Sequence, residues 1–214
     1  MNPRSRILHR LRVAPRPFVD VPAITERHAM SPVEDVTPDA LRARFAREAE
    51  SLGCQVTFWA EPPRALGYVL QLIAPDTAIL SWDLAHIPLA GLADALRGAG
   101  IAVVSKDPAV RVGLTGVDAA LAGTGSLVLA SGPGKPRYPS LLPPVHIAVL
   151  TTSQILPDLE TWAAAQRADG FATLRAASSV ALISGPSHTG DIANVPVRGV
   201  HGPGTVHIVM IQDA

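Results

Sequence analysis

The chain has 214 residues, of which 48% are hydrophobic and 17% charged, and its 18 basic and 18 acidic side chains cancel. This length fits one good-sized core or at most two small ones, and the low charged fraction argues against a disordered chain. A net charge of zero gives no general basic footprint for nucleic acid. One cysteine, Cys54, can form neither an internal disulfide nor, by itself, the ligand set of an iron–sulfur cluster.

The first 36 residues differ from the remainder in charge and in proline content. No acid precedes Asp20, whereas five arginines do, at Arg4, Arg6, Arg10, Arg12 and Arg16. Such a start is typical of a transit peptide, but Ile7, Leu8 and Leu11 also fit one face of a short surface helix, which we favour. Residues 13–36 hold four prolines and no periodicity. We therefore predict an N-terminal helix and Pro-rich arm over 1–36 and a domain over 37–214.

The apolar runs of the chain are short. Gly, Pro or charge cuts every apolar run before the roughly 18–20 residues that a membrane span requires. Arg10 and Arg12 interrupt the one stretch that could form the apolar core of a secretory signal. These patterns predict no membrane span and a cytoplasmic protein.

From Thr37 onwards, helices and strands alternate. Thr37 as N-cap and Pro38 at the next position begin a helix that Gly53 ends. The other predicted helices are 63–73, 88–97, 118–121 and 156–168, and the predicted strands are 55–59, 77–81, 101–105, 126–130, 147–150, 180–184 and 206–211. This alternation favours an α/β fold with a mainly parallel sheet and helices on both of its faces.

The first loop cluster runs from Gly113–Gly116 to Gly123–Ser126. It lacks the Gly-Lys-Ser/Thr of a P-loop and is not a dinucleotide-binding fingerprint. Two interpretations stay open for Thr124, Gly125 and Ser126: a tight turn before a strand, or backbone N–H groups that approach a ligand.

The second cluster, 131–146, carries Lys135 and Arg137 and the hydroxyl of Ser140. A guanidinium on a loop beside a glycine turn suits a carboxylate or phosphate, although a solvated arginine is equally compatible. His146 opens a strand, and we expect it to be a hydrogen-bonded core histidine.

The third cluster is Ser184–Asp191 with Gly199–Pro203. A strand, a small-residue loop and a helix start form the usual ligand site at the carboxyl ends of strands in α/β proteins. In that interpretation Ser187, Thr189 and Asp191 cap the next helix, whose free N–H groups hold an anion. A Ser–His–Asp triad is not expected, since three residues of one short loop rarely reach one another. The histidines match no standard zinc spacing, so we predict no metal site.

Together these clusters resemble the LUD domain, specifically the lactate-utilization protein C family. The resemblance covers residues 37–212 and rests on four motifs in order: Gly123–Leu129; Arg137 with Ser140–Pro143 and His146; Ser184–Ser187 with Thr189 and Asp191; and Gly199–Pro203. It implies a fold like that of the NagB/RpiA/CoA-transferase superfamily. The candidate ligand-binding residues are Thr124, Gly125, Ser126, Arg137, Ser140, Gly185, Ser187, Thr189, Asp191, His201 and Gly202.

The resemblance also implies a role in oxidising L-lactate to pyruvate, with iron–sulfur clusters on two partner proteins and no cofactor in this chain. A small carboxylate or nucleotide-like ligand would suit the candidate site. The chain departs from the family's pattern at Gly123 and Ala193, where the family usually has Glu. Both changes remove a carboxylate and favour binding or assembly over autonomous catalysis. The alternatives are a stand-alone enzyme acting on an acyl, CoA or folate-type ligand and a regulatory ligand sensor.

Overall fold

The computed structural model describes residues 2–14, 33–105, 107–189 and 197–213. The chain divides into two compact units, Met1–Met30 and Ser31–Ala214. In the first unit, helix α1 spans Pro3–Val13, and the Asn2 side chain accepts a hydrogen bond from the Ser5 N–H at 2.8 Å. The predicted N-terminal helix is therefore confirmed. The predicted Pro-rich arm lies mostly outside the described residues.

The second unit contains the other elements of the described chain. Its helices are α2 (Pro38–Ser51), α3 (Pro62–Ile73), α4 (Leu92–Gly98), α5 (Leu159–Ala168) and α6 (Ala172–Ala176). Its strands are β1 (Gln55–Trp59), β2 (Ala78–Ser81), β3 (Ala102–Val104), β4 (Val112–Thr115), β5 (Ala119–Leu121), β6 (Ser126–Ser131), β7 (Val145–Thr151), β8 (Ile155–Leu156), β9 (Ser179–Ile183), β10 (His188–Thr189), β11 (Val197–Arg198) and β12 (Thr205–Ile211).

The central sheet is parallel, with the strand order β1-β12-β7-β4-β2-β3 among the described residues. Every residue of β7 from His146 to Leu150 and of β12 from Val206 to Ile211 is buried. Successive side chains of a strand point to opposite faces, so both faces of this sheet are covered. Helix α3 packs against β1 and β12. The predicted α/β class with a mainly parallel sheet is confirmed.

A second sheet has the order β8-β5-β6-β9. Its β5–β6 and β6–β9 pairs are antiparallel, and β5 and β8 are parallel. The strands predicted at 126–130 and 180–184 belong to this smaller sheet rather than to the parallel one. Its apolar side chains Ala120, Leu127, Leu129 and Ile155 join the same core as the central sheet.

Helix α2 follows its sequence signals closely. Pro38 occupies its first turn, and Leu41, Phe45 and Ala49 are its buried stripe. Gly53 follows the helix with a φ of +90°, a left-handed conformation that glycine adopts without strain. Thr37 precedes the helix, but its hydroxyl donates to Asp35 at 2.8 Å instead of capping it.

Four expectations about elements were wrong. The helix predicted over 88–97 begins at Leu92, because Gly91 before it has a left-handed φ of +77°. Residues 119–121 form strand β5 instead of a helix at 118–121, and all three are buried. Strand β4 occupies Val112–Thr115, where a loop was expected; its Gly113 makes room for the backbone of Pro139. The helix predicted from Leu156 begins at Leu159, because the side chain of Asp158 caps it by accepting from the Thr161 N–H at 2.7 Å.

No helix in the described part of the chain is long and apolar enough to cross a membrane.

Candidate functional site

Three of the sequence motifs meet at what we call the serine–glycine junction, formed by Thr124–Ser126, Ser184–Ser187 and Gly199–Pro203. The Ser126 and Ser184 hydroxyls lie 2.7 Å apart, and the Thr124 hydroxyl donates to Ser126 at 2.9 Å. The Ser187 N–H donates to the Pro203 carbonyl at 2.8 Å. The Ser187 hydroxyl accepts from the His201 N–H at 3.3 Å. The structure therefore brings most of the predicted site residues together.

The glycines of the junction face the end of helix α2. A Cβ on Gly125 would collide with the backbone of Glu48 and Ala49, and one on Gly185 would lie 2.8 Å from the Leu52 carbonyl oxygen. Both glycines have positive φ, +64° and +96°. The close backbone approach that these glycines permit is thus to α2. The first cluster forms a tight turn before β6, in which the Thr124 and Gly125 N–H groups donate to the Leu121 carbonyl at 3.3 and 2.9 Å.

The expected helix after Ser184 is not observed in the described residues. His188–Thr189 instead form β10, which pairs antiparallel with β11 at Val197–Arg198. Ser187 is followed by strand β10, and its hydroxyl accepts from the His201 N–H instead of from the first turn of a helix. Asp191 and Ala193 lie outside the described residues.

The serine–glycine junction was expected at the carboxyl ends of the strands, and part of it lies elsewhere. The Gly199–Pro203 loop precedes β12 and therefore lies at its amino end, where the Thr205 N–H donates to the Pro144 carbonyl at 3.1 Å. The Ser184–Ser187 segment follows β9, which is a strand of the smaller sheet.

Arg137 and Ser140 lie in a separate turn between β6 and β7. This turn packs against β4 and against Trp82, which follows β2. The Trp82 indole N–H donates to the Pro136 carbonyl at 3.1 Å. The Arg137 carbonyl accepts from both the backbone N–H and the hydroxyl of Ser140, at 3.2 and 3.0 Å. The Arg137 side chain is exposed, and within the described part of the chain it has no ion pair.

The histidines of the central sheet are structural. His146 is fully buried, and its Nε2 lies 2.9 Å from the Thr115 hydroxyl, which confirms the expected core histidine. Burial lowers the pKa of His146 to about 4. The pKa of His207 is lowered by burial and by the nearby Arg111 charge. Within the described ranges, no group of three or more His, Cys, Asp or Glu could hold a metal ion.

One charged pair was not predicted from the sequence. The Lys135 ammonium donates to Asp118 Oδ1 at 2.5 Å, and both side chains are largely buried, 24% and 18% exposed. Asp118 Oδ2 accepts from the Ala130 N–H at 2.7 Å. The ammonium also lies 5.2 Å from the centre of the Trp82 ring, a cation–π distance. The sequence feature that could have indicated this pair is Lys135 itself, one of only two lysines in the chain and placed inside a glycine–proline loop.

This pair lines a cleft beside helix α6. A cavity of about 280 Å³ is bounded by Asp118, Ala130, Ser131, Gly132, Pro133, Lys135, Thr173, Ala176 and Ala177. A neighbouring cavity of about 350 Å³ shares Asp118, Ala130 and Thr173 and extends along Leu156 and Trp162. We call the first cavity the Asp118–Lys135 cleft. It combines two opposite charges with a wall of small, mostly apolar side chains.

Comparison with known proteins gives the family of the chain. The LUD domain matches residues 42–211. The chain is 39% identical over 116 residues to lactate utilization protein C of Exiguobacterium sp. (51% of this chain, 48% of that protein). It is 35% identical over 114 residues to lactate utilization protein C of Halalkalibacterium halodurans (53% and 50%). It is 29% identical over 181 residues to the uncharacterized protein YkgG of Escherichia coli (79% and 78%). The matches to lactate utilization proteins C thus span only about half the length of each.

A solved structure shows the same fold. The crystal structure of a DUF162 family protein from Deinococcus radiodurans matches 83% of this chain and 99% of that chain, with a TM-score of 0.61 and 20% sequence identity. At this identity the likeness concerns the fold alone. The resemblance inferred from four short motifs is confirmed by the match over residues 42–211, and the chain belongs to the LUD domain family.

Proposed function

We propose that this chain acts in lactate utilization, in the cytoplasm, as the iron–sulfur-free subunit of a complex that oxidises L-lactate to pyruvate. The observation that carries the proposal is the 35–39% identity, over about half of the chain, to proteins named lactate utilization protein C, together with the LUD domain match over residues 42–211. The oxidation itself would be performed with partner proteins that hold the iron–sulfur clusters.

The state of Cys54 supports this division of labour. Cys54 is the one cysteine of the chain and is buried, with 7% of its surface exposed. Burial raises the pKa of its thiol to about 11, so the thiolate form that a cluster requires is disfavoured. Electron-carrying clusters in the proposed complex would thus be bound by other chains.

The serine–glycine junction supports a binding or assembly role rather than autonomous catalysis. Its hydroxyls bond to one another, and its glycines bring two loops against α2. The His188 Nδ1 lies 3.0 Å from the Pro186 carbonyl and the Ser187 hydroxyl accepts from the His201 N–H, and in the described residues no hydrogen bond joins the Ser187 hydroxyl to a histidine ring as in a nucleophile–base pair. A ligand-binding role for the junction stays a prediction.

The test is L-lactate-dependent dye reduction by the two iron–sulfur partners, measured with and without this chain. We expect the rate to require the chain. Arg137→Ala is the first variant to assay, because this exposed guanidinium has no ion pair in the described residues and its loss should leave the fold intact. A rate that does not depend on the chain would overturn the proposal and favour the alternative of a separate ligand-binding regulator or small-molecule enzyme.

A further inference from the structure

The Asp118–Lys135 cleft lies at the carboxyl edge of the central sheet. Trp82 and Asp83 directly follow β2, and the Asp83 N–H donates to the Gly134 carbonyl at 2.7 Å. The loop that carries Lys135 is thereby fixed to the end of a parallel strand. Ligands of α/β proteins commonly bind at this edge of the sheet.

The charged pair has unused hydrogen-bonding capacity. A lysine ammonium has three donors, and one of them serves Asp118 Oδ1. Each carboxylate oxygen of Asp118 has two lone pairs, and the bonds from Lys135 and from the Ala130 N–H occupy one on each oxygen. The pair can therefore offer donors and acceptors to a ligand without separating.

The remaining wall of the cleft consists of small side chains, which are apolar except for the hydroxyls of Ser131 and Thr173. Ala130, Ala176 and Ala177 supply methyl groups, and Pro133 closes one side. A cavity of about 280 Å³ is at the lower end of the range for small-molecule sites. The methyl groups of these alanines suit a short alkyl group.

The charges narrow the ligand class further. The pair is neutral overall, so a dianion such as a phosphate monoester would meet the Asp118 carboxylate as well as the Lys135 ammonium. A ligand suits both groups when it carries one carboxylate for the lysine and one hydroxyl donor for the aspartate.

We propose that the Asp118–Lys135 cleft binds a short-chain 2-hydroxy acid. The ligand carboxylate accepts from Lys135, its 2-hydroxyl donates to Asp118, and its alkyl group packs against Ala130, Ala176 and Ala177. The choice of L-lactate as the probe rests on the proposed function, whereas the class of ligand rests on the cleft itself.

The experiment is isothermal titration of the isolated full chain with L-lactate, with propionate, which lacks the 2-hydroxyl, and with inorganic phosphate. We expect saturable binding of L-lactate at least about tenfold tighter than that of propionate or phosphate, the worth of one charge-assisted hydrogen bond. Lys135→Met should weaken L-lactate binding by about tenfold or more. Equal affinities for L-lactate and propionate, or tighter binding of phosphate, would overturn the ligand class.

A second variant tests the cleft without removing either member of the Asp118–Lys135 ion pair. Ala176 is exposed on α6, so Ala176→Leu should fold while its larger side chain fills the cleft. We expect it to abolish L-lactate binding. Arg64→Met is the matched control, because it removes an exposed ion pair with Glu61 elsewhere on the surface. Unchanged binding in Ala176→Leu, or no saturable binding of L-lactate to the wild-type chain, would contradict the proposed site.

The two proposals fail in different ways. Absence of binding with a dye-reduction rate that still needs the chain would remove the cleft as a ligand site and leave the subunit role intact. Specific binding with a rate that is indifferent to the chain would overturn the subunit role and support the cleft.

Discussion

Gly125 and Gly185 have roles that the sequence could show only in part. An approach of the backbone to a ligand was one of two interpretations of the Gly125 motif, whereas both glycines in fact lie against the end of α2, more than 70 residues from Gly125 and more than 130 from Gly185 along the chain. Nothing in a local pattern names a partner so distant. A local pattern does not reveal the Asp118–Lys135 pair either. Its members are 17 residues apart in the chain, and the pairing of β5 with β6 brings them together.

Gly125→Ala should destabilise the domain by about 3 kcal/mol or more. The new Cβ would meet the backbone of α2, and alanine is strained at a φ of +64°. Gly67→Ala is the control, because Gly67 lies within α3 with nothing near its Cβ position; it should stabilise by about 0.5–1 kcal/mol. Urea unfolding of both variants measures the difference. Equal stabilities would mean that Gly125 is not packed against α2.

Cys54 should react slowly in the folded chain. Its pKa, raised by burial from 9.0 to about 11, lowers the thiolate fraction at pH 8 by about a hundredfold relative to the unfolded chain. Alkylation by iodoacetamide, followed by mass spectrometry with and without denaturant, measures the two rates. A native rate close to the denatured one would show that the thiol is neither buried nor protonated.

At the scale of elements, amphipathic helices and long buried strands could be predicted, and short strands could not. Helix α2 has a clear apolar stripe and a Pro at its start, and β7 and β12 are seven residues each. Strand β5 has three residues, too few to display a period of two. Strand β4 contains Gly113, and a glycine in the sequence favours a loop. In the structure this glycine is needed because the Pro139 backbone occupies the space where a Cβ would lie.

The carboxyl end of α3 depends on one side chain from a distant loop. The Arg111 guanidinium donates to Asp76 at 2.6 Å and to the carbonyls of Leu72 and Ile73, each at 3.2 Å. These carbonyls belong to the last turn of the helix, where a cation is favoured.

Arg111→Met should therefore destabilise the domain by about 1–2 kcal/mol, a value reduced from that of a buried charged bond because the side chain is 39% exposed. Arg97→Met removes an exposed i,i+3 pair with Asp94 and should change stability by less than about 0.5 kcal/mol. Thermal unfolding of the two variants gives the comparison. A loss no larger for Arg111→Met than for Arg97→Met would rule out the capping role.

For the whole molecule, the buried histidines make stability depend on pH. The pKa of His146 falls from 6.5 in the unfolded chain to about 4 in the fold, so between these values the unfolded state binds more protons. The contribution of His146 to stability is thus fully present above pH 6.5 and is lost as the pH falls towards 4. The lowered pKa of His207 acts in the same direction.

We expect the free energy of unfolding to fall by about 2 kcal/mol from His146 alone between pH 7 and pH 5. The glutamine of His146→Gln has no titrating group. The free energy of unfolding of this variant should therefore vary less between pH 7 and pH 5, even if it is lower than that of the wild type at every pH. Guanidinium unfolding at several pH values measures both slopes. Parallel slopes for wild type and variant would show that His146 does not cause the dependence.

The place of β12 in the central sheet has a consequence for synthesis on the ribosome. This strand lies between β1 and β7, yet it follows both of them in the chain. Until residues 205–211 have left the exit tunnel, β1 and β7 each present an unpaired strand edge, which can pair with another nascent chain. The sheet therefore closes late, and throughout this interval the two exposed edges are sites where nascent chains can aggregate.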